Sequence, residues 1–166
     1  MTVTVDDASG SPLITAEHCA DLLDLVAFLY AELHLRAEVE LAVRLVEEQE
    51  MEDLHLQWMN LPGPTDVLSF PMDELTEGTP EAPVRTGVLG DVVLCPAVAA
   101  AQAAAAGHSL GDELLLLTTH GVLHLLGHDH HEPAERARMF SLQAQLLEKY
   151  LGRPSPVPTA GEGTPG

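Results

Sequence analysis

The chain has little of what several common protein classes need. Only two of its 166 residues are cysteine, Cys19 and Cys95, far apart and in no metal-ligand spacing. One pair cannot build a multi-bridge framework, so both are expected as small core residues of a reduced compartment. Cations are scarce as well: 7 Lys and Arg stand against 26 Asp and Glu, a formal net charge of -19. Such a surface repels polyanions at long range, so any role with nucleic acid must rest on a local site. No segment reaches the roughly 20 apolar residues that a bilayer crossing requires, and the opening MTVTVDDASGSP has no basic region followed by an apolar one. The expected location is the cytoplasm, with no membrane partner. There is no internal repeat.

What is present suits one domain over residues 1–152, because 46% hydrophobic residues are enough to bury a core at this length. Residues 153–166 read as a disordered tail. Val3 and Val5 alternate with threonines in a short strand. Thr15 then caps a helix whose Cys19, Leu22, Leu23, Val26, Leu29, Tyr30 and Leu33 recur at intervals of three and four. From Glu38 to Leu45 the period becomes two, which predicts a strand with one wet face. The spacing and composition predict a helix from Glu47 to Met59, strands over Val67–Phe70 and residues 88–96, and an alanine-rich helix before Gly107. Between those strands, MDELTEGTPEAPVRTG reads as an exposed loop, either a lid or a spacer. Ser109 opens a central buried helix that Gly127 stops, and Pro133 opens a last amphipathic one. Strands interspersed with helices in so short a chain predict an α+β fold, with about four strands in a small mixed sheet and about five helices.

HGVLHLLGHDH, residues 120–130, holds four of the nine histidines and one aspartate. On a helix, residues advance about 100° each, so His120 and His124 share a face one turn apart. Gly127 can adopt positive φ, end the helix and fold His130 back over that pair. Three neutral imidazoles with an open fourth position describe a catalytic zinc site, whose bound water ionises near neutral pH. The spacing equals that of metzincin peptidases, but their general-base glutamate is Gly121 here, which argues against ordinary peptide hydrolysis. His128 and His131 adjoin the site as rival ligands, proton shuttles or exposed residues, and Asp129 could orient a ligand from behind.

HGVLHLLGHDH, together with PTDVLSFPMDE and GDVVLCP upstream, resembles the YbeY family of bacterial endoribonucleases over residues 1 to about 151. The resemblance implies an α+β fold with one Zn2+ held by His120, His124 and His130, and single-stranded RNA as substrate. It also implies maturation of the 16S ribosomal RNA 3′ end, ribosome quality control, and small-subunit proteins and an assembly GTPase as partners. The family pattern has an arginine six residues before the threonine of PTDVLSFP, where Met59 stands here. Arg85, Arg136 and Arg138 are the candidates to replace its charge. Gly121 cannot take a proton, so the base is zinc-bound hydroxide, Asp129, His128, Asp66 or Ser69. Two other readings compete: a zinc-stabilised, non-catalytic ribosome assembly factor, which the acidity suits, and a zinc peptidase.

Overall fold

The period-two stretches become strands, and the one apolar on both faces lies inside the sheet. The computed structural model describes residues 2–158. Its four strands are β1 (Val3–Asp7), β2 (Glu40–Leu45), β3 (Val67–Pro71) and β4 (Val88–Leu94), in the order β1-β2-β4-β3. The first three in that order run parallel, whereas β3 pairs antiparallel with β4, from Val67 opposite Leu94 to Pro71 opposite Gly90. An edge position suits β3, because Pro71 has no N–H to offer a further strand. Central β4 sends Val92 and Leu94 to one core and Val93 to another. A strand covered on both faces must be apolar on both.

Five helices cover the sheet: α1 (Ala16–Glu32), α2 (Glu48–Met59), α3 (Pro96–Ala106), α4 (Leu110–Leu125) and α5 (Pro133–Leu151). The architecture is the α+β one expected. Thr15 caps α1 as anticipated, and His18 completes the capping box by accepting the Thr15 N–H at 3.1 Å. Met51 and Leu54 of α2 pack on Leu68 and Val93, while α4 occupies the opposite face with α1 and α5 around it. Twelve of the 16 residues of α4 are buried, so its polar groups call for internal partners, although the Thr118 hydroxyl has none among the described residues. Thr119 accordingly donates to Leu115 O at 2.9 Å.

A buried polar brace joins the start of α4 to the sheet. Glu113, fully buried, meets His108 Nε2 at 2.5 Å. With its amide nitrogen turned toward the carboxylates, Gln102 donates to Glu113 at 3.1 Å and to Asp66 at 3.2 Å. Asp66 also accepts from the Val67 N–H at 2.8 Å and from Thr65 Oγ1 at 3.2 Å. Burial pushes its carboxyl pKa up despite these bonds. Both cysteines are free; Cys95 is buried as expected, but Cys19 is only half-buried on α1. Residues 153–158 form neither helix nor strand, yet Arg153 donates to Asp112 at 2.8 Å and Pro156 is buried. The remainder of the expected disordered tail, 159–166, lies outside the described residues.

Candidate functional site

Helical geometry places His120 and His124 on one face of α4, with ring centroids 6.1 Å apart. The helix then ends in a Schellman turn: Gly127 takes φ 93°, its N–H donates to His124 O, and the His128 N–H reaches Leu123 O at 3.1 Å. That reversal carries His130 back to 5.4 Å from the His120 ring and 5.6 Å from the His124 ring. His120 and His130 are buried, and His124 opens toward solvent.

Burial sets the chemistry of the three rings. It pushes the His120 pKa down to about 4, and it lowers those of His124 and His130 as well. All three are therefore neutral donors at pH 7, the form in which imidazole binds a metal. Gln143 Oε1 accepts from His120 Nδ1 at 2.9 Å, leaving Nε2 with the free lone pair. His130 Nε2 is buried without any partner, an arrangement that costs about 1–3 kcal/mol in a site meant to stay empty. A tetrahedral ion about 2.0–2.1 Å from each nitrogen would hold ring centroids roughly 5 Å apart. The observed triangle is slightly wider, and no group of three or more His, Cys, Asp or Glu among the described residues is drawn into a ready coordination sphere. The donor set fits a borderline metal such as zinc, with a small side-chain rotation needed to close it.

Two expected results arise here. Gln143→Leu removes the acceptor that selects the His120 tautomer, so zinc affinity should fall about 10–100-fold, measured by competition with a chelating dye. Stability of the metal-free protein should also fall with acid. The unfolded chain takes up the His120 proton near pH 6.5, the folded chain only near 4, so stability is lost as pH drops through that window. The loss from His120 alone is on the order of 3 kcal/mol. Urea unfolding at several pH values should show that slope, and His120→Asn should flatten it.

The remaining candidates separate. Asp129 stays at the site: burial acts to raise its pKa, but the His130 N–H at 2.7 Å and the neighbouring imidazoles prevail and lower it. It is an ionised carboxylate, hence a weak base. Asp66 does not meet the histidines. It is bonded into the brace at Glu113, seven residues and about 10 Å along α4 from His120. Ser69 is adjacent but committed, its hydroxyl donating to Gly121 O at 3.1 Å and pinning α4 to β3. His128 bonds Glu77 at 2.7 Å, and His131 stacks on His130 in the open. Met59 ends α2, exposed and uncharged. Of the exposed Arg85, Arg136 and Arg138, only Arg136 is felt electrostatically by His120 and His130. Its guanidinium lies 4.9 Å from the centre of the Phe140 ring, which itself sits 5.7 Å from the His120 ring.

Sequence reading missed Gln143. The signal was there: it sits at a buried register of α5, four residues after Met139 and three before Leu146, where a polar residue needs a partner.

Fold and site together define a class: small α+β proteins whose buried central helix and return turn gather three neutral histidines beside a sheet edge. Comparison with known proteins narrows it. The family profile described as endoribonuclease YbeY matches residues 7–151. The endoribonuclease YbeY of Micrococcus luteus is 62% identical over 138 residues, 83% of this chain and 87% of its own. That of Renibacterium salmoninarum is 53% identical over 159 residues, 96% of this chain and 99% of its own. A solution structure of a Thermotoga maritima protein shares the fold, with TM-score 0.59 and 24% identity over 95% of this chain and 99% of that one. The chain belongs to the endoribonuclease YbeY family.

Proposed function

We propose that this protein is a zinc-dependent endoribonuclease that cuts single-stranded RNA and matures the 3′ end of 16S ribosomal RNA in the cytoplasm, contributing to ribosome quality control. The observation that carries the reading is the convergence of His120, His124 and His130 as neutral imidazoles, one with an unpartnered buried nitrogen. Family membership supplies the substrate class. When bound, zinc supplies Lewis-acid polarisation of a phosphodiester oxygen and a lowered pKa for water. The residues do the rest. Gln143 holds His120 in the tautomer that presents Nε2. Asp129, ionised at the mouth, is placed to accept a proton from an attacking hydroxyl, a task its lowered pKa makes slow. Arg136 stands in the role vacated at Met59, offering charge to the phosphate as negative charge builds in the transition state. Small-subunit proteins and an assembly GTPase are the proposed partners.

The test is incubation of RNA carrying a pre-16S 3′ end with zinc-loaded and chelator-stripped protein, followed by analysis of the product ends. Cleavage by loaded protein alone is the expected result. No cleavage at full zinc occupancy would favour a zinc-stabilised assembly factor, the reading that the net charge of -19 suits.

A further inference from the structure

His130 stands in a segment with neither helix nor strand, five residues beyond the end of α4. Regular hydrogen bonding cannot hold it in place there, so something else must. Within 127–131, the Gly127 and His128 N–H groups bond back to α4, and the His130 N–H bonds Asp129 next door. Among the described residues, one hydrogen bond ties this segment to the rest of the protein beyond α4: His128 Nε2 to Glu77 Oε1, 2.7 Å, across 51 residues.

Glu77 lies in the β3–β4 connection, the polar segment that sequence alone leaves as lid or spacer. The structure makes it a wall. Asp73 accepts from the Val88 N–H at 2.8 Å and closes the base of the connection. Farther out, the Gly78 N–H donates to Leu33 O at 2.9 Å, the Val84 N–H to His34 O at 2.9 Å, and the Arg36 N–H to Val84 O at 2.8 Å. The approach at Gly78 is so close that a Cβ there would lie 2.6 Å from His34 O and 2.9 Å from Val84 N. Glu77 is therefore presented from a backbone anchored to the end of α1, one residue from its tightest contact.

We propose that the β3–β4 connection is a fixed clasp for the site, in which Glu77 is a positioning residue that grips His128 and thereby steadies the turn presenting His130. The proposal rests on the metal reading above for its consequence, but not for its geometry. Losing the clasp removes one hydrogen bond between partly exposed groups from the turn, which corresponds to about a five-fold effect. Both partners are partly exposed, so their variants should fold.

Two measurements test it. In metal-free protein, hydrogen exchange at the His128 and His130 amides should quicken about five-fold in Glu77→Ala and stay near wild type in Glu77→Gln, which keeps an acceptor. In zinc titrations, Glu77→Ala and His128→Ala should each weaken binding about five-fold, and the double variant should be no weaker than either. Unchanged exchange in Glu77→Ala, or zinc losses that multiply in the double variant, would overturn the clasp. Equal zinc affinity in wild type and His124→Ala would sink the metal reading instead, leaving the exchange result to decide the clasp.

Discussion

Replacing His124 with alanine is expected to remove zinc and RNA cleavage together while leaving the fold standing. His124 is the least buried of the three histidines, so truncating it leaves a dent at the surface rather than an internal cavity. His120 differs, because its Nδ1 is bonded to buried Gln143 and its removal would strand that oxygen. With two imidazoles left, the remaining set is too small for a tightly held zinc. Loss of the metal should lower kcat/KM by roughly 1,000-fold or more, about 4 kcal/mol of transition-state stabilisation. Metal content after dialysis, RNA cleavage and thermal unfolding in chelator would be measured on the same preparations. His128→Ala is the informative companion: at saturating zinc it should still cut. Full zinc occupancy and wild-type cleavage in His124→Ala would refute the ligand set.

Gly121→Glu would write the peptidase pattern into this chain, and it should unfold it. A Cβ at position 121 would lie 2.8 and 3.1 Å from the two Val92 methyls and 3.2 Å from Ser69 Oγ. Those atoms belong to central β4 and to β3, whose Ser69 hydroxyl already bonds the Gly121 carbonyl, so neither can yield cheaply. Overpacking of this kind costs about 1–3 kcal/mol, and a buried carboxylate without a partner adds several more. The sum approaches the 5–15 kcal/mol, roughly, that hold a typical domain together. Gly121→Ala isolates the steric part and should lower Tm by several degrees with zinc binding intact. A Gly121→Glu protein with wild-type Tm would show that the helix can move off the sheet. The missing glutamate thus has a physical reason, and it weighs against a peptidase: α4 must approach β4 too closely to carry a side chain there.

Much of this was legible in advance because local rules are short-ranged. Thr15, Ser109, Gly127 and Gly152 punctuate helices whatever surrounds them, and all four do so here. Asp66 was not legible. A carboxylate in TDVLSF looks the same whether it faces a substrate or the half-buried amide of Gln102, and only the packing of α3 and α4 against β3 decides which. Glu77 could not have been paired with His128 from sequence, since nothing local relates residues 51 apart.

By itself, then, the sequence determined the helices and strands, the shared face of His120 and His124, and the glycine that returns His130 to them. Those depend on the helical repeat and on backbone freedom within a few residues. The tertiary structure alone decided the strand order, the desolvation that keeps the imidazoles neutral, the Gln143 contact that selects a tautomer, and the closeness that forces glycine at 121. Each arises where distant segments exclude water or occupy the same space, and no local pattern encodes which segments will meet.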